Sequence, residues 1–361
     1  MEFRWPFKKK NRDQWIGIDL YEAAPSVVVQ SRACIESCAS FSQQGENALD
    51  EWLDANMDAG TPAVIVLDEA QYELLLVEAP EVPDEELAAA ISFKIADMLS
   101  QPVEEMAIQA FRLPPDAYRG RMSMAYAVAS PKETIRDIVD WADKQRLELQ
   151  QITVPEMTVL QVLAAHNNAQ NSAVLELKED HGVIRLYSDG ALYLTRQVEV
   201  GFKALGFSAE QPDEQAEEDA APQSAEHEAE SLELSDEPEN DTDGVLLNEL
   251  DLDELVLQEE QARDSIDDQQ TENLILEIQR SLDYYESQLG MGQISNLWVF
   301  SSQVDLSPLC EKIKPMIHTK TKQLDLNSSL PKAGVVDVSG TCKGLNQSLL
   351  SLGGALSYVA S

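Results

Sequence analysis

The residues of this chain that could perform chemistry are few and scattered. None of the four histidines stands at ligand spacing from a cysteine, which disfavours a metal site. Cys34 and Cys38 are four residues apart and would share one face of a helix, but four cysteines in 361 residues do not make a disulfide scaffold. We therefore predict reduced thiols, no metal and a cytosolic protein.

The chain also lacks the local patterns of common enzymes. A nucleophile elbow, an H-E-x-x-H zinc motif, a P-loop and a dinucleotide fingerprint are all missing from the sequence. The carboxylate in the most suggestive position is Asp19, because it ends an apolar run from Trp15 that predicts a buried strand. In the simplest interpretation, Asp19 caps the turn that follows this strand.

The net charge of −39 is extreme but unevenly distributed. Residues 208–268 hold 24 Asp and Glu against one basic residue, Arg263. Nucleic acid is excluded as a partner, because phosphate backbones require basic surface. The first part of this segment is too polar to order itself. From Val245 to Leu257, aliphatic residues alternate with carboxylates, which indicates either a short helix on the domain or a docking motif that folds on a basic partner.

Apolar runs long enough to span a bilayer, about 20 residues, do not occur in the sequence, and no signal peptide is apparent. Residues 1–12 form a basic aromatic tail. The rings and lysines at residues 3–10 suit a weak peripheral contact with anionic lipid, and a solvated flexible end is the simpler alternative. The composition therefore favours a cytoplasmic protein.

The other residues are enough for two domains and alternate between strand and helix patterns. In the first half, strands are predicted at 15–20, 27–29, 63–67, 72–77, 122–129 and 149–154, and helices at 48–55, 132–144 and 157–166. In the second half, strands are predicted at 172–177, 182–187, 191–200 and 294–300, and helices at about 271–285, 306–313 and 348–359. The last helix is rich in small residues, so we expect it to pack tightly inside the second domain.

One stretch has a distinctive order of features. The segment Ala79-Pro80-Glu81-Val82-Pro83 leads into a predicted helix, Glu86 to Leu99, and a strand follows from Glu105 to Phe111. This order resembles the small inserted subdomain of the PilM family of pilus-assembly proteins, which have an actin-like ATPase fold. Within that family the chain is most similar to members from mannose-sensitive haemagglutinin (MSHA) pili, through its WPFKKK start, its W-I-G-I-D-L strand and its S-L-D-Y-Y-E-S-Q helix.

The resemblance implies an α/β fold of the actin-like, ribonuclease H-like duplicated type with two domains. The first domain is expected at 13–166, including an inserted α/β subdomain at about 78–150. The second is expected at 167–207 and 269–361, interrupted by the acidic, mostly disordered insertion 208–268.

The resemblance also implies a nucleotide site between the domains. Phosphate binding needs closely approaching backbone N–H groups, which favour glycine, and magnesium needs a carboxylate nearby. The remnants of the two phosphate loops in this chain are Gly17, Asp19, Glu176 and Gly182.

The three nucleotide-binding loops of the family are altered in this chain. Tyr21 and Glu22 replace a glycine and a hydroxyl in the first loop, and Lys178 replaces a glycine in the second. The segment Ser301-Ser302-Gln303 stands where the adenosine loop should carry glycines. We therefore expect a degenerate pocket, no catalytic residues and no cofactor, with Mg-ATP bound only if the pocket is intact.

For partners, the resemblance implies the short cytoplasmic tail of a PilN-like (MshJ-like) inner-membrane protein, together with other subunits of the pilus-assembly platform. The family holds that tail in a groove between the first domain and the insert. We assign the surface to the predicted helix and strand of the insert, with candidate contacts at Glu86, Ala90, Phe93, Lys94, Glu105, Gln109 and Phe111.

Three functions remain in competition. The leading one is a cytoplasmic scaffold peripheral to the inner membrane. The second is an active actin-like ATPase whose nucleotide state gates pilus assembly. The third is the cytoplasmic component of a type II secretion platform, similar to GspL, although that protein continues into a transmembrane helix.

Overall fold

The computed structural model describes residues 14–21, 25–31, 34–41, 47–165, 170–208, 266–326 and 345–358. Several features predicted from the sequence lie outside these residues. They are the tail 1–12 with its membrane contact at residues 3–10, Glu22, Cys342, and the interior of the acidic insertion with Val245–Leu257.

The strands and helices are numbered in chain order. The strands are β1 Gln14–Asp19, β2 Ser26–Ser31, β3 Ile35–Ser40, β4 Pro62–Val66, β5 Glu73–Glu78, β6 Met106–Arg112, β7 Met124–Pro131, β8 Glu148–Thr153, β9 Ser172–Leu177, β10 Gly182–Ser188, β11 Ala191–Val198, β12 Asn296–Phe300 and β13 Lys320–Gln323. The helices are α1 Ala48–Asn56, α2 Asp84–Ile95, α3 Lys132–Lys144, α4 Pro155–Ala165, α5 Asp268–Asp283, α6 Ser307–Ile313 and α7 Leu349–Ser357.

Two sheets of the same topology organise the molecule. The first has the strand order β3-β2-β1-β4-β8 and the second β11-β10-β9-β12-β13. In each sheet three antiparallel strands continue into two parallel ones. This repetition gives β1 and β9 equivalent central positions, so the ends of these two strands are the natural place for a shared site.

Local chemistry explains where several elements begin and turn. At the tip of the β10–β11 hairpin, Asp189 and Gly190 both have positive φ, 48° and 77°, as an Asp-Gly turn of the type that suits hairpins requires. The helix α3 follows Pro131 and has Glu133 in its first turn and Lys144 in its last, which complements the helix dipole. These signals were readable in the sequence, and both elements form where they were predicted.

A third, three-stranded sheet forms the insert, with the order β5-β7-β6. One of its faces is covered by α2, whose Leu87, Ile91 and Ile95 are buried against Ala125 and Ala127 of β7. The sheet extends from Glu73 to Pro131. The later part of the range predicted for the insert, about 78–150, belongs to the first domain instead, because β8 pairs with β4.

The position of the last helix contradicts the sequence-based expectation. We expected α7 inside the second domain, but it packs on β1, β2 and β4 of the first sheet and along α4. The Trp15 side chain donates a hydrogen bond to the Ala355 carbonyl at 2.8 Å, and the Ser26 and Ser351 hydroxyls lie 2.9 Å apart. The chain therefore returns to its first domain at the end of the described residues.

The segment around Cys34 and Cys38 also differs from expectation. It is the edge strand β3, paired antiparallel with β2, and not a helix on which the two thiols would share a face. The strand was missed because its polar residues give it no clear alternation. Among the described residues, Cys34, Cys38 and Cys310 form no disulfide.

Candidate functional site

Asp19, predicted as a turn cap and as a remnant of the first phosphate loop, lies at the end of β1 and is buried, with 7% of its surface exposed. Its Oδ1 accepts a hydrogen bond from the Tyr21 backbone N–H at 3.1 Å, as expected of a turn cap. Burial raises the pKa of Asp19 from 3.8 to about 7, and the nearby Glu176 carboxylate adds to the effect. The group is therefore partly protonated near neutral pH.

Glu176 of β9 is bound to an arginine that the sequence analysis did not single out. The Arg185 guanidinium is fully buried and donates to Glu176 Oε2 at 2.7 Å, to Glu69 Oε1 at 2.9 Å and to Glu156 Oε1 at 3.4 Å. Burial opposes its charge, but Glu156, Glu176 and Glu69 outweigh burial and hold the pKa of Arg185 well above its usual value. The signal that could have identified it is a charged residue inside the apolar strand β10.

Two further side chains of the second domain, Lys178 and His181, contact Glu69. Lys178 Nζ lies 3.2 Å from Glu69 Oε2 and 4.6 Å from the centre of the Tyr21 ring, while His181 Nε2 lies 3.3 Å from Glu69 Oε2. Burial disfavours the ionised form of Glu69, but the His181 hydrogen bond and the charges of Arg185 and Lys178 lower its pKa to about 2. We call this set the interdomain cluster. Its members are Asp19, Glu69, Glu156, Glu176, Lys178, His181 and Arg185.

The two glycines that matched phosphate loops have packing roles. A Cβ on Gly17 would lie 1.9 Å from the Ser351 carbonyl oxygen of α7, so this glycine permits a helix to approach the strand. A Cβ on Gly182 would lie 2.7 Å from Leu177 Cδ2 and 3.2 Å from the Glu176 carbonyl oxygen. At both glycines, the space that a side chain would need is already filled by neighbouring atoms.

A groove lies on the opposite side of the insert from α2. It is a cavity of about 390 Å³ between the first domain and the insert, and we call it the β6–β8 groove. The lining is mostly apolar and comes from both the first domain and the insert. The lining residues are Leu67, Ala107, Ile108, Gln109, Phe111, Val128, Ser130, Ile135, Gln151, Ile152, Thr153, Val154 and Met157.

The groove runs between two strands that lie at sheet edges. Among the described residues, β6 pairs only with β7, and β8 pairs only with β4. Each strand therefore presents one side of its backbone without a strand partner, which is the usual requirement for adding an extended peptide to a sheet.

The structure divides the candidate partner contacts. Gln109 and Phe111 line the β6–β8 groove, and Glu105 lies in the short turn that leads into β6. The remaining candidates, Glu86, Ala90, Phe93 and Lys94, are on α2, which covers the other face of the insert sheet. The Phe93 ring is 85% exposed there, so α2 and the groove are separate surfaces.

Sequence reasoning did not identify the β8 side of the groove. Ile152 and Gln151 come from a strand that was predicted, but whose partner and edge position were not. Their role depends on the parallel pairing of β8 with β4. This pairing joins residues about 85 positions apart, such as Pro62 and Glu148, and no local sequence pattern indicates it.

The described residues contain no group of three or more His, Cys, Asp or Glu side chains placed to hold a metal ion. Within the same residues, every helix is too short or too polar to cross a bilayer.

The chain matches no known protein-family model and no curated protein sequence. Solved structures do match. A PilM–PilN type IV pilus biogenesis complex aligns with a TM-score of 0.64 at 14% identity, covering 96% of this chain and 98% of that chain.

Two further structures are more distant. A Bacteroides thetaiotaomicron protein with an actin-like ATPase fold and unknown function has a TM-score of 0.42 at 10% identity, covering 88% of this chain and 93% of its own. The cytoplasmic domain of EpsL, an inner-membrane component of the Vibrio cholerae type II secretion system, has a TM-score of 0.38 at 17% identity, covering 52% and 71%. The predicted fold class is confirmed: the two sheets of equal topology form the α/β actin-like ATPase fold, which the chain shares over nearly its whole length with a protein of a type IV pilus PilM–PilN complex.

Proposed function

We propose that this protein is a scaffold subunit of a type IV pilus assembly platform of the MSHA type, similar to MshI. It acts in the cytoplasm beside the inner membrane and is recruited there by the short cytoplasmic tail of a PilN-like (MshJ-like) protein. The observation that carries the proposal is the β6–β8 groove, because its two strand edges suit an extended peptide. Full-length likeness to a complex that contains PilN supports the choice of partner.

The dimensions of the groove define what the tail must be. β6 is seven residues long, and an extended strand rises about 3.3 Å per residue, so the groove accepts roughly 23 Å of extended chain. The lining is apolar around Phe111, Val128 and Ile152, with the exposed amide of Gln109 available for hydrogen bonds. The tail that fits is a short extended segment with apolar side chains on alternate positions.

The second part of the proposal is that the protein does not bind Mg-ATP in the manner of active actin-like ATPases. The support is that Glu176 and Arg185 are buried and already bound to each other, and that Lys178 is bound to Glu69. A nucleotide would have to break these ion pairs before its phosphates could be bound. Scaffolding then depends on shape and partner binding.

Binding of a peptide with the sequence of the partner's cytoplasmic tail tests the first part. In fluorescence anisotropy we expect saturable binding by the full chain and a loss of at least tenfold in affinity for Ile152→Glu, because a buried unpaired carboxylate is costly. Phe93→Glu is the matched control, since it places the same charge on α2. If Phe93→Glu instead lost at least tenfold in affinity and Ile152→Glu bound as the parent protein does, the binding site would lie on α2.

Titration with a fluorescent ATP analogue, with and without magnesium, tests the second part. We expect no saturation up to millimolar nucleotide. Magnesium-dependent binding in the micromolar range would instead favour the ATPase that gates assembly, and measured hydrolysis would establish it.

A further inference from the structure

The two domains face each other across the interdomain cluster, where the first-domain side chain Glu69 contacts three side chains of the second domain. Glu69 lies in the short turn after β4 and is 22% exposed. It contacts Lys178, His181 and Arg185 of the second domain at 3.2, 3.3 and 2.9 Å. Opening of the cleft would separate this carboxylate from all three side chains.

A second set of contacts crosses between the insert and the second domain. The loop after β6 reaches the end of α5, where the Tyr118 and Tyr284 hydroxyls lie 2.9 Å apart and the Arg119 backbone N–H donates to the Leu289 carbonyl at 3.3 Å. The Tyr193 hydroxyl of β11 donates to Asp116 Oδ1 at 3.0 Å. We call the loop, residues 113–121, the strap.

The backbone of the strap indicates that these contacts hold it in place. Tyr118 and Arg119 have φ of 54° and 57°, in the left-handed region that non-glycine residues rarely adopt. Two consecutive residues of this kind persist only where surrounding contacts stabilise them. The contacts of the strap with Tyr284 and Leu289 supply that stabilisation, and Leu113 and Ala117 are buried in the core shared with the second domain.

We propose that the interdomain cluster and the strap form a clasp that holds the two domains closed without any nucleotide. The side chains of the interdomain cluster and the strap thus join the two domains directly, so no bound ligand is needed between them. Arg185 is fully buried among three carboxylates, and the closed arrangement brings one of them, Glu69, to it from the first domain; opening would remove that part of the compensation of its buried charge.

The clasp has a consequence for the β6–β8 groove. β6 continues directly into the strap, and Phe111 of the groove contacts the Tyr126 ring, whose hydroxyl accepts from the Thr195 backbone N–H of the second domain at 3.3 Å. With the clasp closed, the insert is fixed to both domains. The groove then keeps one geometry whatever the nucleotide concentration. The clasp itself rests on these contacts and not on the pilus assignment.

Distance measurement between the domains tests the clasp. Spin labels on genetically encoded residues at Asp137 of α3 and Lys314 after α6, both exposed, report the opening by double electron–electron resonance in the full chain. For the unmodified clasp we expect one narrow distance distribution, unchanged by millimolar Mg-ATP. For Glu69→Gln we expect a broader distribution with a longer mean, because the ion pairs of Glu69 with Lys178 and Arg185 and its contact with His181 are weakened together.

The matched control is Asp54→Asn, which removes a surface carboxylate that binds Arg146 at 2.9 Å within the first domain, and it should leave the distribution narrow. If Glu69→Gln does not fold, Tyr284→Ala replaces it and is expected to broaden the distribution through the strap. A narrow, unshifted distribution in a folded Glu69→Gln or Tyr284→Ala variant overturns the clasp. So does a shift of the unmodified protein with Mg-ATP. Neither result affects peptide binding, which tests the pilus scaffold separately.

Discussion

Asp19 combines a position typical of a metal or phosphate site with an environment that disfavours its charge. It ends the central strand of the first sheet, yet it is buried, and the partner it meets directly is a backbone N–H of the next turn. Lys178 lies close enough to affect its charge but is bound to Glu69. In this environment Asp19 serves as the cap of the turn after β1, with its negative charge disfavoured by burial.

The raised pKa of Asp19 predicts how stability changes with pH. Because the carboxyl binds its proton more tightly in the folded state, the stabilisation present below about pH 4 is lost as the pH rises through about 7. Asp19→Asn removes this titration, so its free energy of unfolding relative to the parent protein should rise by about 2–4 kcal/mol between pH 4 and pH 8. Urea unfolding at a series of pH values measures the difference.

The control for this prediction is Asp58→Asn, which changes an exposed carboxylate in the same domain. Its stability relative to the parent protein should stay within about 0.5 kcal/mol at every pH. A pH-independent difference for Asp19→Asn would mean that Asp19 is ionised throughout and is held by Lys178.

Residue-level reasoning from the sequence identified Asp19 and Glu176 but could not identify what neutralises Glu176. Arg185 belongs to a strand predicted for its apolar residues, and its partners Glu69 and Glu156 come from elements far away in the chain. Long-range pairing of this kind leaves no spacing to recognise. The glycines at 17 and 182 were recognisable in the sequence as places of close approach, but the sequence did not show which atoms approach them.

At the scale of elements, β1 and α7 approach each other closely in the first domain. Gly17 faces Ser351 and Ala355, Gly353 faces the Thr158 carbonyl of α4, and Gly354 lies against Val66. Helix and strand backbones therefore approach through facing glycines, and a small-residue helix is necessary at this position. The small residues of α7 predicted tight packing, and only the domain on which it packs was wrong.

Gly17→Ala tests this contact. The added Cβ would lie 1.9 Å from a backbone oxygen and 2.3 Å from the Ala355 backbone nitrogen, neither of which can rotate away. We expect a loss of about 3 kcal/mol or more in the free energy of unfolding, measured in urea. Gly292→Ala, where nothing lies within 4 Å, should change it by less than about 0.5 kcal/mol. Equal effects in both variants would show that α7 does not seat on β1.

The elements that the sequence did not predict share a physical cause. The edge strand β3 is polar and half-exposed, so it has no strong period, and β13 has only four residues. Strongly apolar or strongly amphipathic elements such as β4, β9 and α3 were predicted within one or two residues. Which strands pair across the sheets depends on contacts that no local pattern encodes.

At the scale of the whole molecule, the acidic insertion leaves and re-enters the second domain at one place. The Asp267 backbone N–H donates to the Leu205 carbonyl at 3.1 Å, and Ile266 is buried beside it. The two ends of the described chain on either side of the insertion are therefore hydrogen-bonded to each other directly. The helix α5 also begins with its own cap, Asp267, whose side chain accepts a hydrogen bond from the Gln270 N–H.

This closure predicts that the insertion can be removed. Replacing residues 209–265 with a short Gly-Ser linker should leave the Tm unchanged or slightly raised, because shortening a loop lowers its closure entropy only slightly. Differential scanning calorimetry of the two proteins measures the change. A large drop in Tm would show that part of the insertion, such as Val245–Leu257, packs on the domain.

The return of α7 to the first sheet has a consequence for synthesis on the ribosome. The strands β1, β2 and β4 emerge early from the ribosome. The helix that covers this side of the sheet, α7, is synthesised only after the described elements of the second domain. The apolar face around Trp15 and Val66 thus stays uncovered until α7 has been synthesised, so we expect the first domain to complete its folding only after α7 has emerged from the ribosome, with chaperones shielding it until then.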